Sequence, residues 1–598
     1  MNKPGNHFAK KSMPAIKTKC ESSPSRLAMK VLVALVAIFA IEAIVFHWRY
    51  WLTLAGIISG NPGPFLISKA RLAVMAIIYV LFEIFKPSSA IWNIKFFDMG
   101  ARAKVSLGIA FAISCMGMGA FSQLSGQAAW LEQGPVYNEG IEAVQDGNQY
   151  NHLADALLSG SLSLDLPSSP ILDSMENPYD PALRAQLNKE AREPIYWDYA
   201  YYDGSYYCYF GVVPCLLTFL PFKALTGMHL RTDIVVVAFA CLTLAASALL
   251  IVELAKKYAK DISLGQYLIG FILLGLSCGV LEQAFLPRIY PIPILSALFF
   301  TYMGLYFWIK AERQFAQSRT WNKAYLVAGS FSIALTLGCR PQFVLACLLA
   351  FPIFFDEIKQ REFFSVRGIW NTLAVIVPFL IILAPIAWYN QARFGSWTNF
   401  GASYNITGGD MTSYTFSAAK IMIQFLEYLF LPFQLIGSFP YISTINTSPL
   451  LQKLPMLFTN EPFYAGFMFL TPVTLCLFGL LIKKPRRALK ERGGLKLSVA
   501  CLAIASFDIV VASYVSGTNM RYFADFAWLL LIPTVLLLWS LPSNDGPKGK
   551  LNPAIALLSL VGIGLYCWTF LGTDRFGALY IECPTLFNVV KNAIETLI

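Results

Sequence analysis

The chain has 598 residues, of which 56% are hydrophobic and only 14% are charged, and its mean hydropathy is +0.56. Ordinary soluble domains are about a quarter charged, so this composition excludes a soluble protein and predicts an all-α polytopic membrane protein. The net charge of +11 does not indicate a nucleic-acid partner, because the basic residues gather in short loops and in the N-terminal tail, as membrane topology requires.

The N-terminal part of the chain predicts a membrane anchor. Residues 1–28 form a basic tail, and the apolar run Met29–His47 is long enough to span a bilayer without a small-residue cleavage site behind it. Because basic residues stay inside, we expect an uncleaved anchor with its N-terminus in the cytoplasm of a plasma (inner) membrane protein.

Apolar length predicts about thirteen transmembrane spans. They lie near residues 29–47, 71–86, 105–125, 233–255, 265–283, 289–310, 324–340, 341–356, 370–391, 460–482, 496–516, 524–541 and 552–571. Counting Lys and Arg in the short loops then orients them. The predicted regions are a tail (1–28), N-terminal spans (29–126), a large outside loop (127–207), a transmembrane region (208–391), a second outside loop (392–459), C-terminal spans (460–571) and an outside tail (572–598).

One apolar stretch does not fit a simple crossing. If Cys208–Gly227 crossed inward, the lysines that follow the next span would lie outside and break the charge rule. Its glycine and two prolines are compatible with a re-entrant or interfacial helix, which we predict here.

The first outside loop holds thirteen acids and three basic residues, and one acid begins a helical pattern. Asp146 precedes Tyr150, Leu153, Leu157 and Leu158, whose spacing predicts an amphipathic helix with one face on the membrane surface. Asp146 is then either a capping-box residue at the helix start or a reactive carboxylate at the water–lipid boundary, and the two roles are compatible.

A second cluster follows in the same loop. Asp198 and Asp203 lie among seven aromatic residues between Trp197 and Tyr209, among them Tyr202. Aromatic faces suit sugar rings and carboxylates suit sugar hydroxyls, but a tyrosine-rich interfacial belt with an Asp-Gly turn explains the same residues.

Four arginines lie at the predicted outer ends of spans, where the charge rule disfavours them: Arg288, Arg340, Arg393 and Arg521. Snorkelling to lipid phosphates would explain any one of them. Four on the side of the acidic loop favour an anionic ligand, since the Arg fork suits phosphate. The twelve cysteines and four histidines show no metal-ligand or disulfide spacing, so no metal and no cofactor is indicated.

Outside carboxylates, aromatics and arginines together fit glycosyl transfer from a sugar on a lipid phosphate. Phosphate is a good leaving group that Arg can neutralise without a metal, and an ionised carboxylate can take the acceptor's proton. A glycosidic ether would commonly need a second carboxyl group as acid.

The chain resembles the GT-C superfamily of polytopic glycosyltransferases, which includes protein O-mannosyltransferases and the lipid A aminoarabinose transferase. The resemblance lies in Asp146, Tyr150 and "LADALLSG", and in "YYDGSYYCYFGVVP", "LTLGCRPQ", "NQARFGSWTNFG" and "RYFADFAWLL", across most of residues 130–540. It departs where relatives carry Asp-Glu and this chain has Asp146-Gly147, where they carry Pro-Pro and this chain has "FGVVP", and in the extra spans before residue 105.

The resemblance implies a GT-C-like enzyme that moves a hexose or pentose from a polyprenyl-phosphate donor to a glycan, lipid or protein on the outer face, with inversion. It implies Asp146 as the catalytic carboxylate, leaving open whether Glu139 assists, with Arg340 and Arg521 on the donor. The remaining expected substrate-binding residues are Tyr150, Tyr202, Asp203, Arg288, Arg393 and Tyr522. The alternatives are a flippase of lipid-linked sugars, which would have inverted repeats and acids within its spans, and an inactive relative acting as a scaffold.

Overall fold

The computed structural model describes residues 24–59, 65, 67–124, 135–139, 142–413, 416–445, 463–515, 517–541, 551–573 and 578–595. The basic tail up to residue 23 and parts of both predicted outside loops, 125–134 and 446–462, lie outside the described residues. The chain divides into two compact units, Met1–Ile84 with Ala593–Ile598, and Phe85–Asn592.

Helices account for most of the described secondary structure. The α-helices are α1 (Pro24–Ile44), α2 (Trp48–Leu54), α3 (Lys69–Phe85), α4 (Ala101–Leu124), α5 (Gln149–Leu158), α6 (Pro170–Ser174), α7 (Pro181–Ala191), α8 (Val212–Pro214), α9 (Leu220–Thr226), α10 (Thr232–Tyr258), α11 (Leu264–Phe271), α12 (Val280–Phe285), α13 (Pro291–Ser318), α14 (Lys323–Leu335), α15 (Ala350–Ile353), α16 (Phe355–Lys359), α17 (Ile369–Phe394), α18 (Ala418–Phe430), α19 (Phe467–Leu470), α20 (Lys483–Glu491), α21 (Leu495–Val515), α22 (Phe523–Ser540), α23 (Leu551–Thr569), α24 (Ala578–Glu582) and α25 (Pro584–Glu595).

Shorter helical segments and three hairpins join them. The 3₁₀ segments are Ala90–Trp92, Phe96–Asp98, Thr336–Gly338, Pro341–Leu349, Ala402–Tyr404, Pro472–Leu481 and Met520–Tyr522, and the π-helical turns are Cys215–Phe219 and Ile272–Leu276. The antiparallel hairpins pair β1 (Val136–Asn138) with β2 (Ala143–Gln145), β3 (Ala200–Tyr202) with β4 (Ser205–Tyr207), and β5 (Gln434–Leu435) with β6 (Ile442–Ser443).

Among the described residues, seven helices are long and apolar enough to cross a membrane, so the chain is a multi-pass membrane protein. They are Ala101–Ala120, Thr232–Tyr258, Pro291–Ser318, Ile369–Phe394, Leu495–Val515, Met520–Ser540 and Leu551–Thr569. An eighth would be the pair Ala28–Ile44 and Trp48–Leu54, which is bent by 59°. Five further apolar helices are shorter, so the predicted count of thirteen spans is not confirmed.

Local backbone breaks explain why apolar length overestimated the long helices. The predicted span at 265–283 is α11 running into a π turn, after which Gly279 adopts a φ of +91° and α12 starts anew. The predicted span at 341–356 begins as a 3₁₀ helix behind Pro341. Hydropathy averaged over a window does not register such breaks, because the side chains on both sides of them remain apolar.

In the first unit, a buried ion pair joins α1 to α3. The Glu42 side chain is fully buried, and the guanidinium of Arg71 lies 2.7 Å from its Oε1. The backbone N–H of Ser68 donates to the same oxygen at 2.8 Å. A carboxylate in a membrane helix is costly unless paired, and Arg71 supplies the partner.

In the second unit, α22 is the central helix. All of its residues are buried, as expected for a helix that is apolar on every side. Beside it, α10, α13, α14 and α17 pack in sequence. Close contact between α13 and α14 needs small residues, because a Cβ on Gly304 would lie 2.3 Å from Ile333 and one on Gly329 would lie 2.3 Å from Trp308.

The residues of the first predicted outside loop form a small polar layer held by backbone hydrogen bonds. The N–H of Val144, in β2, donates to Ile195 at 2.6 Å, and the N–H of Trp197 donates back to Val144 at 2.9 Å. In the next residue, the backbone N–H of Asp198 donates to the Ile406 carbonyl at 2.8 Å, and the N–H of Ile406 donates to the Tyr199 carbonyl at 2.9 Å. This seam also joins the first predicted outside loop to the second.

A buried arginine strengthens that junction. Arg184, in α7, is 3% exposed and donates to the carbonyls of Pro178 at 3.1 Å and Thr407 at 2.5 Å. Burial lowers the pKa of Arg184 to about 10, which leaves it charged at neutral pH. Asn177 adds a 2.8 Å bond to the carboxylate of Asp410.

The apolar stretch predicted to re-enter the membrane forms a broken helix. Val212–Thr226 comprises α8, the π turn and α9, and packs on α5. Its fifteen residues are fewer than the about 20 that a span requires. Just before it, Gly211 packs against the chain at Gly338 and Cys339, where a Cβ would lie 2.2 Å from the Cys339 carbonyl oxygen.

Gly211→Ala tests how tightly this entry to the broken helix is packed. The φ of Gly211 is −56°, which alanine tolerates, so the cost is steric and should be about 1–3 kcal/mol. We expect a thermal unfolding midpoint several degrees lower in detergent. Gly108→Ala in α4, where a Cβ would meet nothing within 4 Å, is the matched control and should not lower it. Equal midpoints for the two variants would contradict the packing described.

Candidate active site

Asp146 is a buried carboxylate held between β2 and α5. Its side chain is 1% exposed. Its Oδ1 accepts the backbone N–H of Asn148 at 2.8 Å, and its Oδ2 lies 2.8 Å from Nε2 of His152. The carboxylate is therefore fixed by a short local turn on one oxygen and by an imidazole on the other.

The capping-box interpretation of Asp146 does not match this geometry. The residue preceding α5 is Asn148, which makes no side-chain capping bond, and Asp146 lies two residues further back. The side of α5 that was expected to face the membrane instead faces protein. Tyr150 and Leu153 are buried, and the Tyr150 ring stacks on Phe219 with 5.2 Å between ring centroids. The apolar face of α5 packs on the broken helix, where protein atoms replace lipid.

Two buried tyrosines surround the Asp146 carboxylate. Burial, and then the charge of Asp146, raises the pKa of Tyr196 and raises that of Tyr199 well above its ordinary value. Tyr196 and Tyr199 also contact each other at 5.5 Å between ring centroids. Both phenols stay neutral at physiological pH and exclude water from this side of the carboxylate.

Asp198 is a second carboxylate connected to the first through α5. It has a φ of +62°, and its side chain accepts hydrogen bonds from the hydroxyl of Tyr290 and, at 3.3 Å, from Asn405. The amide of Gln149, the first residue of α5, donates to the Asp198 carbonyl at 2.8 Å. A non-glycine residue at this φ is uncommon and is held here by the seam on both sides.

Arg521 lies at the end of this connected group. Its guanidinium carbon is 4.2 Å from the ring centroid of Tyr290, the residue that donates to Asp198. Asn519 fixes its backbone through a 2.8 Å bond, and Tyr522 follows it in the same 3₁₀ turn. Such a site is suited to a ligand that has an anionic group and a ring. The cation can bind the anionic group, and the aromatic face can contact the ring.

The guanidinium of Arg340 is paired with a buried carboxylate of the protein, that of Asp525. Its Nε and Nη2 donate to the two oxygens of Asp525 at 2.7 and 2.6 Å, and Gln342 adds a 2.6 Å bond to the same carboxylate. The Arg340 guanidinium carbon also lies 5.2 Å from the Tyr522 ring. The fork that would bind phosphate is therefore occupied by a carboxylate, and Arg340 and Arg521 both lie near the Tyr522 ring.

Other predicted residues lie elsewhere in the layer. Glu139 is exposed in the turn of the β1–β2 hairpin and bonds to Arg192 at 2.6 Å, at the opposite end of the hairpin from Asp146. Asp203 is exposed in the Asp-Gly turn between β3 and β4. The structure therefore does not bring Glu139 or Asp203 to Asp146.

Three predicted residues lie in packed or intermediate positions. Arg393 is 5% exposed, donates to the Cys208 carbonyl at 2.6 Å and lies over the Tyr389 ring at 3.7 Å. Tyr202 packs on Tyr404 at 4.6 Å between ring centroids. Arg288 is half-buried in the turn before α13.

Sequence reasoning missed His152 and Tyr290. His152 lies six residues after Asp146, a spacing at which the first turn of a helix returns to a preceding acid, and this was the available signal. Tyr290 is in "LPRIYP" beside Arg288, and no sequence signal pairs it with Asp198. Within the described residues, no group of three or more His, Cys, Asp or Glu side chains is arranged to hold a metal ion.

Comparisons with known proteins give two structural likenesses. No protein-family model matches the sequence, and no curated protein matches it. One solved structure that matches is ArnT from Cupriavidus metallidurans bound to undecaprenyl phosphate, at 10% identity over 83% of this chain and 77% of that one, with a TM-score of 0.36. The oligosaccharyltransferase of Archaeoglobus fulgidus in its apo form matches at 12% identity over 81% of this chain, with a TM-score of 0.35.

This chain covers 55% of that oligosaccharyltransferase. Likenesses at these TM-scores carry no argument about function. The function proposed below therefore rests on the residues and contacts of the site.

Arg340→Met should destabilise the protein because it leaves the Asp525 carboxylate, 2% exposed, without its cation. Losing one partner of a buried pair costs about 3–5 kcal/mol, whereas replacing both with apolar residues is often neutral. We expect the thermal unfolding midpoint in detergent to be much lower for Arg340→Met than for the wild type. The midpoint of Arg340→Met/Asp525→Leu should return towards the wild-type value. A double variant as unstable as the single one would contradict this account.

Proposed function

We propose that this protein is an integral membrane glycosyltransferase of GT-C type that takes a sugar from a polyprenyl phosphate and transfers it to a hydroxyl group. The observation that carries the proposal is the connected group in which Asp146, held by His152, is linked through Gln149 to Asp198, and Asp198 through Tyr290 to Arg521. This connected group contains a proton acceptor at the Asp146–His152 pair, an aromatic surface at Tyr290 and a cation at Arg521.

Each component has a role in that reaction. The base centred on Asp146 removes the proton of the acceptor hydroxyl, whose oxygen attacks the anomeric carbon of the sugar. As the bond from that carbon to the phosphate oxygen breaks, negative charge grows on the departing phosphate, and Arg521 stabilises it. One displacement inverts the configuration at the anomeric carbon. Tyr290 and Asp198 would contact the sugar.

The role proposed for the other arginines follows from their partners. Arg340 supports the site by holding α22 through Asp525, and Arg393 holds the chain at Cys208 where the broken helix begins. We place the donor phosphate at Arg521 because its guanidinium lies on the Tyr290 ring, and Tyr290 donates to Asp198. The acceptor is a glycan, lipid or protein on the outer face of the plasma (inner) membrane, and the sugar is a hexose or pentose.

A flippase of lipid-linked sugars is the second candidate, favoured by carboxylates within adjacent spans. Asp508 in α21 and Asp525 in α22 are 6% and 2% exposed. Asp525 is paired with Arg340, as a structural carboxylate would be. Proteoliposomes containing a fluorescent polyprenyl-phosphate sugar separate the two, since an enzyme releases the lipid phosphate and a flippase only moves the intact donor.

Asp146→Asn should abolish sugar transfer because a neutral amide disables the Asp146–His152 pair as a base. Loss of a general base costs about 10²–10⁴-fold in rate. The assay follows radiolabel from undecaprenyl-phosphate sugars into an envelope fraction. Asp165→Asn, at an exposed acid of the same loop, is the matched control and should be fully active. Asp146→Asn activity within a few-fold of the wild type would contradict the assignment.

Arg521→Gln should weaken binding of undecaprenyl phosphate because a neutral amide replaces the cation beside Tyr290. A charge-assisted contact contributes about 1.5–3 kcal/mol, which corresponds to roughly tenfold or more in affinity. Binding is measured on purified protein in nanodiscs with undecaprenyl phosphate alone. Arg192→Gln, at an exposed arginine of the polar layer, should bind as the wild type does. Unchanged affinity in Arg521→Gln would place the phosphate elsewhere.

A further inference from the structure

The two members of the Asp146–His152 pair differ in their access to solvent. The Asp146 side chain is 1% exposed and that of His152 is 25% exposed. An acceptor hydroxyl must come within hydrogen-bond distance of the group that takes its proton. Asp146 offers almost no surface for such contact, whereas His152 does.

Both carboxylate oxygens of Asp146 also have hydrogen-bond partners within the protein. Its Oδ1 accepts the Asn148 N–H and its Oδ2 holds His152, with the buried phenols of Tyr196 and Tyr199 beside it. An acceptor could reach the carboxylate only by displacing these groups. The arrangement is that of a carboxylate that orients another residue.

We propose that His152 is the general base that contacts the acceptor hydroxyl and that Asp146 is its positioning residue; this inference rests on the proposed function. With Nε2–H donating to Asp146, the imidazole carries its lone pair on Nδ1. Within the described residues Nδ1 has no hydrogen-bond partner. A carboxylate that fixes the tautomer of a histidine in this way also stabilises the imidazolium that forms.

The proton and electron balance is complete without a further reactant. Nδ1 takes the proton of the acceptor hydroxyl, and the oxygen's electron pair forms the new bond to the anomeric carbon. The bond from that carbon to the phosphate oxygen breaks, and its electron pair leaves with the polyprenyl phosphate. The imidazolium, beside Asp146, then releases its proton to water.

A second Asp–His pair on the same helix provides a built-in comparison. Asp155, three residues after His152, lies 2.7 Å from Nε2 of His229 and 3.0 Å from Nζ of Lys223. These hydrogen bonds and charges outweigh burial and lower the pKa of Asp155. Here the carboxylate itself is 35% exposed, and a lysine already neutralises it. Nothing in this pair points to proton transfer.

The charged and titratable groups around α5 can each contribute to the pH dependence of the transfer rate. They include Asp146, Tyr196 and Tyr199 on the side of the seam, Tyr150 and Asp155 on α5 itself, Cys208 before and Cys215 at the start of the π turn of the broken helix, Lys223 of α9, His229 and Arg231 of the segment before α10, and Asp233 of α10. Two histidines, His152 and His229, lie among these groups. Variants at the two histidines separate their contributions.

The test uses the full-length protein in nanodiscs, undecaprenyl phosphate carrying a radiolabelled hexose or pentose, and an envelope fraction as acceptor. For His152→Gln we expect kcat/KM to fall by about 100-fold or more, as for loss of a general base. The glutamine amide can still donate a hydrogen bond to Asp146. If His152 only held Asp146 in place, the variant would therefore remain active. His229→Gln is the matched control and should stay within about threefold of the wild type.

The pH profile gives a second readout. Only a neutral imidazole can take the proton, so wild-type kcat/KM should fall in acid, and this fall should be lost in His152→Gln but kept in His229→Gln. Undecaprenyl phosphate should bind His152→Gln within about threefold of the wild type, which shows that the variant is folded.

Two outcomes would overturn the proposal. One is His152→Gln activity within about fivefold of the wild type with the same acidic limb. The other, which needs no variant and so stands even where His152→Gln does not fold, is a wild-type rate that stays level as the pH is lowered across the whole range in which the protein remains folded. Neither touches the proposed function, which fails separately if the wild type transfers label from none of the donors.

Discussion

The candidate active site depends on the backbone seam that joins Val144, the stretch from Ile195 to Tyr199, and Ile406. These hydrogen bonds hold two chain segments that are more than two hundred residues apart at one position. Asp146 follows one side of the seam and Asp198 lies within it. Because backbone hydrogen bonds fix the chain direction at both residues, they also fix the distance between the two carboxylates.

A second level of organisation links this polar layer to the helices beneath it. The apolar face of α5 packs on the broken helix, and Arg393 holds the start of that helix through the Cys208 carbonyl. On the other side, Tyr290 and Arg521 stand at the ends of turns that lead into α13 and α22. The group that would accept a proton and the group that would bind an anion therefore belong to different layers.

The sequence predicted a multi-pass helical membrane protein and most of its long helices, and it named Asp146 as a candidate, because apolar length and helical spacing are local properties. It also named Arg521 as a candidate, because the charge lies in a place that topology disfavours. It did not distinguish Arg340 from Arg521, because the partner of Arg340 is 185 residues away. Nor did it assign His152, since only the turn at Asn148 brings that ring back onto the carboxylate. Breaks such as the one at Gly279 depend on backbone geometry that hydropathy does not contain.

The pair between Glu42 and Arg71 has a consequence for how the protein is made. Glu42 lies in the first described helix and its partner in the third, so during synthesis the acid emerges from the ribosome well before the arginine. Until then, α1 carries an unmatched carboxylate that resists transfer into lipid. We therefore expect α1 to enter the membrane more readily once Arg71 of α3 is available to pair with Glu42.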